Sequence, residues 1–384
     1  MFYNRAGSHS HHIADDFSRE YDTFNPTPLC EIDFIETDDE LLGLLSNAQR
    51  LIGLLEGSSR HIENIKNFTS LMYIKEAAAS CGIDDELRFT YLDLFIEPKY
   101  KQERLIPIQN YRKALEYGIE ELSRIHLANK VIYATHKILM DHKRGTETIG
   151  AERTGKIIFG NYYRSGGPPK YNPPAPEDIT LCMNDIQRYI KRVDNIDILI
   201  KTALLHYQLE AIHPFQSGNG KIGRILIALY LFKKKVLGHT LLPISEFLAA
   251  NKVEYFDRIK AVHDFGKYEQ WIKFFLTALA ATADTALQRL EKALQLREKN
   301  ITTIKTSNKD VKYLLDACQY IEKHVFLDTT SLAEAIGVSY NTSARVVKEL
   351  VDLNILKLLK NQARNRVYFY AELLDVMEID FQGI

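Results

Sequence analysis

Residues 213–224 read His213-Pro214-Phe215-Gln216-Ser217-Gly218-Asn219-Gly220-Lys221-Ile222-Gly223-Arg224 and separate two helical patterns. Apolar residues recur every three or four positions from Ile196 to Ala211, and the same spacing returns from Ile222 to Tyr230. The segment is therefore predicted to be a loop that joins two buried helices.

The composition of this loop predicts an anion site. Gly218 and Gly220 can adopt backbone conformations that are closed to other residues, so consecutive N–H groups can turn towards one point. The second helix is expected to begin near Asn219, where its dipole and its unpaired N–H groups favour a phosphate. Lys221 and Arg224, three residues apart, add two cations on one face of the first turn. Together these groups predict a clamp for a polyphosphate.

The same residues also admit a purely structural interpretation. In that alternative the segment is a tight turn between two helices, with Asn219 as a capping residue and His213 as a buried core histidine. The complete string of twelve residues favours the nucleotide-phosphate site, because it combines the glycine turn, both cations and a titratable imidazole near a suitable pKa for a base.

The segment closely resembles the signature of the Fic family, HPFx[DE]GNGRxxR, whose members mostly transfer AMP from ATP to a hydroxyl of a protein target. Seven of the nine specified positions match. Ser217 stands where the family has an acidic magnesium ligand, and Lys221 stands where it has arginine. Lysine keeps the charge but loses the bidentate fork, whereas a hydroxyl is a far weaker magnesium ligand than a carboxylate. The resemblance implies ATP as donor and a weakened Mg²⁺ site, with no metal ligand assigned in the protein.

The resemblance also implies a role for each matching residue. His213 is expected to be the general base that accepts the proton of the target hydroxyl, and Phe215 a core anchor. Asn219 is expected to hold an α-phosphate oxygen, and the two cations to hold the phosphates towards the leaving pyrophosphate. The nucleotide-binding residues expected from the motif are Gly218, Asn219, Gly220, Lys221 and Arg224. Asn251 and Tyr255 match positions that line the adenine pocket in the family, although helix residues of these types serve equally well in packing.

Many Fic proteins carry an N-terminal inhibitory helix of the form [ST]xxxE[GN], whose glutamate pairs with the last arginine of the motif. A literal match lies at Ser59-Arg60-His61-Ile62-Glu63-Asn64. This match makes Glu63 one candidate for the inhibitory carboxylate.

Family landmarks around the inhibitory helix favour a different carboxylate. They occur at Lys75-Glu76-Ala77 and Asn110-Tyr111-Arg112-Lys113-Ala114-Leu115 and therefore frame residues 80–85. We expect Asp84 to be the inhibitory residue and to pair with Arg224, with Glu63 as the alternative. A capped surface helix without a regulatory role stays open for both segments.

Residues 145–176 interrupt the helical pattern. Arg153 to Gly160 is typical of a short strand between glycines, and Lys170 to Pro176 of an extended proline turn. The resemblance implies a β-hairpin flap over residues 153–176, which holds the target by main-chain pairing at an exposed strand edge. A hairpin that merely covers the core is the alternative.

The C-terminal segment has the pattern of a winged helix-turn-helix module. Helices are predicted over 311–321, from 331 and over 340–353, followed by a two-stranded wing over 356–370. The basic side chains Lys357, Lys360, Arg364 and Arg366 favour DNA binding. Residues 301–384 hold ten basic and eleven acidic side chains, however, and this balance argues against strong phosphate binding. DNA binding, homodimerisation and target recognition all stay open for this module.

The composition is that of an ordinary soluble protein, with 384 residues, 46% hydrophobic and 26% charged residues, and a net charge of −1. The four cysteines are scattered without a CxxC pair, which is typical of a reducing compartment. No apolar run is long enough to cross a membrane. We therefore expect a cytoplasmic protein that does not bind membranes.

These observations predict an all-α fold with a small β-hairpin flap and a C-terminal winged helix-turn-helix module. The expected segments are an acidic, irregular N-terminal arm (1–40), a helical inhibitory region (41–109), a catalytic core (110–300) and the winged-helix-like domain (301–384). The expected function is transfer of AMP from ATP to a Ser, Thr or Tyr hydroxyl of a protein, restrained in cis. A Fic enzyme with a different phosphate-containing donor and a DNA-binding regulator with a nucleotide-sensing site are the alternatives.

Overall fold

The computed structural model describes twelve ranges of the chain: residues 5–13, 20–32, 35–60, 62, 65–84, 93, 102–142, 148–157, 172–238, 242–307, 310–359 and 366–379. These ranges contain fourteen α-helices and five short strands. The predominance of helix confirms the predicted all-α class. Within the described ranges, no helix is both long enough and apolar enough to cross a bilayer.

The helices, in chain order, are α1 (Asp39–Ser59), α2 (Ile65–Asp84), α3 (Ile106–Arg124), α4 (Asn129–Leu139), α5 (Ile179–Lys191), α6 (Ile198–Ile212), α7 (Asn219–Lys233), α8 (Ile244–Ala250), α9 (Lys252–Phe265), α10 (Tyr268–Ser307), α11 (Val311–His324), α12 (Thr329–Ile336), α13 (Tyr340–Asp352) and α14 (Ala371–Val376). The strands are β1 (Gly7–Ile13), β2 (Glu20–Pro26), β3 (Phe326–Asp328), β4 (Lys357–Leu358) and β5 (Val367–Phe369).

The chain divides into two compact units. The first contains residues 1–56, 75–86 and 106–283, and the second contains residues 57–74, 87–105 and 284–384. The four segments expected from the sequence, with boundaries at 40, 109 and 300, remain a prediction.

Helix α6 is the central helix of the first unit, since 13 of its 15 residues are buried. The side chain of Asp197 caps its start by accepting a hydrogen bond of 2.8 Å from the N–H of Leu199. Helix α7 packs against α6, and both pack within a layer that includes α3, α4 and α5. The indole N–H of Trp271, on α10, donates to the carbonyl of Ala203 over 2.8 Å. Trp271 is fully buried in the core of this unit.

The N-terminal arm is not irregular, and this expectation was wrong. Strands β1 and β2 pair antiparallel, with Gly7 opposite Pro26 and Ile13 opposite Glu20. The side chain of Phe24 is fully buried, and its N–H donates to the carbonyl of Asn172 over 2.9 Å. Backbone pairing supplies these contacts, so the acidic composition of the arm did not reveal them.

The predicted flap lies largely outside the described residues, because residues 158–171 are not among them. Residues 153–157 form no strand, in contrast to the strand expected from Arg153. Beyond the flap, Pro176–Asp178 forms a single 3₁₀ turn that leads into α5.

In the C-terminal part of the second unit, the elements follow in the order α11, β3, α12, α13, β4 and β5. Strands β3, β5 and β4 form an antiparallel sheet in that spatial order. Asp328 caps α12 by accepting from the N–H groups of Thr330 and Ser331, and Ser339 caps α13 by accepting from Thr342. Residues 360–365, which include the expected tip of the wing, lie outside the described residues. The winged-helix interpretation remains a prediction.

Candidate active site

The loop between α6 and α7 is shaped by two left-handed residues. His213 ends α6 with φ of 49°, and Gly218 begins α7 with φ of 76°. A Cβ atom on Gly218 would lie 2.6 Å from the sulfur of Met140, so both the backbone angle and the space require glycine here. The N–H groups of the first turn of α7 have no acceptor within the helix, which makes this end suited to an anion.

Asn219 holds the loop closed. Its side-chain oxygen accepts from the N–H of Phe215 over 2.9 Å, and its side-chain nitrogen donates to the carbonyl of Phe215 over 2.7 Å. The side chain is buried, as is the ring of Phe215. Contact between Asn219 and an α-phosphate therefore remains a prediction, whereas its contact with the loop backbone is observed.

His136, which the sequence did not single out, supports the loop from α4. Its ring stacks on Phe215 with centroids 3.7 Å apart. Nε2 donates to the carbonyl of Ser217 over 2.9 Å, and Nδ1 accepts from the N–H of Gly150 over 3.1 Å. Both ring nitrogens of His136 thus have structural partners, which assigns this histidine to positioning the loop.

His213 is held as a neutral base. Its Nδ1 is 2.8 Å from the carbonyl of Glu210, and a carbonyl can only accept, so Nδ1 carries the hydrogen. In the neutral ring, Nε2 therefore carries the lone pair. The pKa of His213 is lowered to about 4, mainly by burial and also by the nearby Arg153, although the hydrogen bond to the Glu210 carbonyl raises it. The imidazole is consequently uncharged at neutral pH and able to accept a proton.

Arg153 joins the start of the predicted flap to the histidine loop, a role that the sequence did not indicate. Its guanidinium donates to three carbonyls, those of His213 (2.8 Å), Gly155 (3.0 Å) and Pro174 (2.5 Å). Its backbone N–H donates to the carbonyl of Pro214 over 2.8 Å. Only 2% of Arg153 is exposed. Because every one of these acceptors is a backbone group, no side-chain motif could have indicated the contact.

Arg224 points towards helix α2 and is buried there, with 1% of the residue exposed. Its Nε donates to the hydroxyl of Ser80 over 2.7 Å, and Nη2 donates to the carbonyl of Ser80 over 3.0 Å. Nη2 also lies 2.6 Å from Oδ2 of Asp84, which is the ion pair expected from the landmarks. Burial lowers the pKa of Arg224, whereas Asp84 and the neighbouring phenols raise it. The net effect is a pKa above the ordinary value. Glu63, the alternative carboxylate, lies outside the described residues.

Gly220 makes room for this ion pair. A Cβ atom on Gly220 would lie 3.0 Å from both Oδ1 of Asp84 and Nη1 of Arg224. Lys221, one residue later, is buried in the first turn of α7. The structure thus gathers the motif cations and Asp84 at the same end of α7.

The two landmarks that frame Asp84 meet at Glu76. Its carboxylate accepts from the hydroxyl of Tyr111 (2.8 Å), from the N–H of Ser245 (2.9 Å) and from the Ser245 hydroxyl. Lys75 forms an ion pair of 2.8 Å with Glu246. These contacts fasten the C-terminal half of α2 to α3 and α8, and they hold Asp84 beside Arg224.

Asn251 and Tyr255 are engaged with protein groups. Asn251 donates from its side chain to the carbonyl of Phe247 over 2.9 Å, at the junction of α8 and α9. Tyr255 is buried, and its hydroxyl lies 2.8 Å from Nε2 of His206. Lining of an adenine pocket by these two residues remains a prediction.

Two family models match this chain. The model of the Fic/DOC family matches residues 126–231, which include the whole loop and α7 up to Leu231, and the model of the Fic/DOC family N-terminal region matches residues 42–120. Both matches confirm the resemblance to the Fic family that the loop indicated. The second match covers both the Glu76 landmark and Asp84, so the ion pair described above joins the two Fic regions.

Curated Fic relatives match over limited lengths. A protein of Aquifex aeolicus named a probable protein adenylyltransferase is 28% identical over 101 residues, which are 26% of this chain and 29% of that protein. The protein adenylyltransferase Fic of Aedes aegypti is 24% identical over 164 residues, or 42% of this chain and 31% of that protein. The chain therefore aligns with less than a third of the length of either relative.

The fold is shared with a solved Fic structure. A Fic family protein from Desulfovibrio desulfuricans G20 has a TM-score of 0.53 and 17% identity, over 88% of this chain and 97% of that one. At this identity the likeness shows that the two proteins share a fold.

The metal-ligand position of the Fic loop does not suit a carboxylate-bound magnesium ion. Ser217 offers a hydroxyl there, and its carbonyl already accepts from His136. Across the described ranges, no group of three or more His, Cys, Asp or Glu residues is arranged to hold a metal ion. The donor set at this loop thus differs from the one that the family signature specifies.

Proposed function

We propose that this Fic protein transfers AMP from ATP to a Ser, Thr or Tyr hydroxyl of a protein target. The observation that supports this most directly is the state of His213, a neutral imidazole whose Nδ1–H is fixed by the carbonyl of Glu210. This base stands directly before the start of α7, where first-turn N–H groups and two cations favour phosphates. The named activity of the aligned relatives agrees with this assignment.

In the proposed reaction, Nε2 of His213 accepts the proton of the target hydroxyl while the hydroxyl oxygen attacks the α-phosphorus. The bond between the α-phosphorus and the oxygen that bridges it to the β-phosphate breaks, and pyrophosphate leaves with its electron pair. Lys221 and Arg224 stabilise the charge that develops on the leaving phosphates. Positioning and charge neutralisation supply most of the catalysis in this class of reaction, so a rigid loop is an advantage.

We propose that magnesium is bound mainly by the nucleotide phosphates. The hydroxyl of Ser217 is the one side-chain ligand that this loop would offer at the metal-ligand position. Phosphate-bound magnesium usually keeps several water ligands and needs few protein ligands. Its contribution when bound would be neutralisation of phosphate charge.

The target is proposed to dock on the segment 153–176. Arg153 fixes the start of that segment to the carbonyl of His213, so a target strand paired with this segment would lie close to the base.

Restraint in cis is proposed to come from Asp84. It occupies Nη2 of Arg224, a donor that would otherwise hold a nucleotide phosphate. While the pair is formed, a phosphate at this position would meet a carboxylate instead of an available cation.

The direct test is incubation of the purified protein with ATP labelled at the α-phosphate, with self-modification as the readout. Label on the wild type or on Asp84→Gly that is lost in His213→Ala supports AMP transfer. His126→Ala, which removes an exposed histidine outside the site, should retain the label. Absence of label from every variant would contradict the proposal.

Ser217 favours a second candidate, a Fic enzyme that uses a different phosphate-containing donor. If α-labelled ATP fails, the same variants are tested with a panel of labelled nucleotide and phosphodiester donors. Transfer that depends on His213 but not on ATP would favour this candidate.

A groove in the second unit favours a third candidate, duplex DNA binding with the nucleotide site as a sensor. The groove has a volume of about 850 Å³ and is lined by the exposed cations Lys348 of α13 and Arg366 before β5, together with Tyr340. This candidate would be supported if the affinity for duplex DNA fell with increasing salt. The fall should be less steep in Lys348→Ala and in Arg366→Ala. Affinity independent of salt would exclude it.

A further inference from the structure

Glu210 is a partly exposed residue outside the family motif, and one oxygen of its carboxylate is buried. It lies on α6, three residues before His213, and faces α7. Its Oε1 is shielded from solvent and accepts no hydrogen bond from the described residues. A Cβ atom on Gly223 would lie 2.7 Å from Oε1, so α7 approaches the carboxylate closely only because it has glycine there. Buried polar atoms nearly always have partners, and this exception calls for an explanation.

The charges around Glu210 belong to the restrained phosphate site. The pKa of Glu210 is raised to about 7, because burial and the charge of Asp84 raise it by more than the charge of Arg224 lowers it. A carboxyl in this position is therefore balanced between its neutral and charged forms near neutral pH. Which form prevails depends on whether another anion already neutralises Arg224.

The other groups that face Glu210 do not exchange protons near neutral pH. On its own helix, burial lowers the pKa of His206 to about 3 and that of His213 to about 4. Tyr255, on α9, has a pKa raised well above its ordinary value by burial and by Glu210. Arg224, on α7, stays charged, because its pKa is raised above an already high value. Asp84, on α2, is the charged partner of that arginine.

We propose that Glu210 is a proton-linked positioning residue for Arg224, protonated while an anion such as Asp84 occupies the guanidinium and ionised when no other anion does. The inference rests on the proposed function, because it assigns the regulation of the same phosphate site. The proton passes to solvent when Asp84 withdraws and is taken up again when Asp84 or a phosphate binds. Arg224, which is buried, thus keeps one negative neighbour throughout the exchange of Asp84 for a phosphate.

The direction of the pH effect follows from linkage. Asp84 favours the protonated form of Glu210, so protonation of Glu210 must equally favour docking of Asp84. When Asp84 is not docked, the pKa of Glu210 is lower than when it is docked. Below this lower pKa, Asp84 has the full extra affinity for its docked position. This extra affinity is lost as the pH rises through about 7, the value in the docked state. The affinity of a phosphate that replaces Asp84 falls over the same pH range.

The first experiment is an infrared titration of the nucleotide-free protein, which requires no enzymatic activity. The difference between wild type and Glu210→Gln isolates the C=O stretch of the protonated carboxyl, which we expect to titrate near pH 7. In Asp84→Asn the midpoint should fall by about one unit, a tenfold loss of proton affinity. Glu120→Gln, an exposed substitution on α3, should leave the band unchanged. An equal midpoint in the pH difference spectra of wild type and Asp84→Asn would overturn the proposal, and this comparison does not require Glu210→Gln to fold.

The second experiment measures binding of an ATP analogue with a methylene group between the α- and β-phosphates, in the Asp84→Gly background. We expect affinity to weaken by up to about tenfold as the pH rises through neutrality. In the double variant with Glu210→Gln, this loss should disappear. A purely structural role of Glu210 would shift affinity at every pH equally, and parallel profiles would therefore overturn the proposal. If AMP transfer itself is absent, the infrared result still decides the role of Glu210.

Discussion

Oδ2 of Asp84 lies 2.6 Å from Nη2 of Arg224, although 140 residues separate the two in the chain. The arginine is almost completely buried, whereas 27% of the aspartate side chain is exposed. The carboxylate thus reaches the cation from the open side of the site, where a nucleotide phosphate would also have to approach. We therefore expect Asp84 and a nucleotide phosphate to compete for Nη2 of Arg224.

Asp84→Asn should raise self-modification by labelled ATP, because it removes the charge that competes with the phosphates. A coupling of ordinary size corresponds to a rise of about 5- to 150-fold. Asp84→Glu, which retains a carboxylate on a longer side chain, is the matched control and should remain restrained. A rate for Asp84→Asn equal to that of wild type would assign α2 a structural role only.

At acid pH, the change of kcat/KM with pH should follow the protonation of His213. Its lowered pKa of about 4 means that the neutral, proton-accepting ring predominates above that pH and is lost below it. We expect kcat/KM of Asp84→Gly to be insensitive to His213 protonation near neutrality and to fall as the pH drops through about 4. Return to neutral pH should restore the rate, which excludes irreversible unfolding. A midpoint at the ordinary histidine value of 6.5 would contradict the described burial.

Ser217→Asp should increase the dependence of transfer on magnesium. The substitution places a carboxylate at the loop position where the chain has a hydroxyl, and carboxylates are the protein ligands that Mg²⁺ prefers. The measurement is the magnesium concentration at half-maximal self-modification, compared between wild type and variant. Ser217→Asn, similar in size but uncharged, should not reproduce the change. Identical magnesium curves for all three proteins would show that this position does not contact the ion.

Arg153→Ala should destabilise the fold and the site together. It removes three hydrogen bonds from a buried guanidinium to backbone carbonyls, and we expect the free energy of unfolding to fall by about 3 kcal/mol. Chemical denaturation measures this loss. Arg124→Ala, which removes an exposed arginine paired with Glu120, should change stability by less than about 1 kcal/mol. Equal effects of the two variants would mean that the Arg153 contacts contribute little.

Much of the loop 213–224 could be predicted from the sequence, because its determinants are local. The helical spacing on both sides places the loop, and Gly218 adopts the left-handed conformation that favours glycine. The landmarks of the N-terminal region also led to Asp84, which the structure places on Arg224. Only the structure shows how these landmarks are connected. Tyr111 and Ser245, from two other segments, both donate to the buried carboxylate of Glu76.

Other parts of the site were missed for a common reason. Arg153 and His136 act mainly on backbone carbonyl and N–H groups, which every residue type carries. The antiparallel pairing of β1 with β2 is likewise a backbone interaction, and the acidic side chains of the arm concealed it. The amide of Asn219 holds the backbone of Phe215, which the sequence did not predict, and its contact with a phosphate remains a prediction.

The sequence by itself determined the helix-loop-helix frame, the positions of the candidate base and of the two cations, and the resemblance to the Fic family, because spacing, glycine and charge are properties of neighbouring residues. Only the tertiary structure decided which carboxylate meets Arg224, which tautomer His213 holds and which oxygen of Glu210 is buried without a hydrogen-bond donor among the described residues. Those outcomes depend on burial and on distances between segments far apart in the chain, and desolvation and Coulomb interactions act through space.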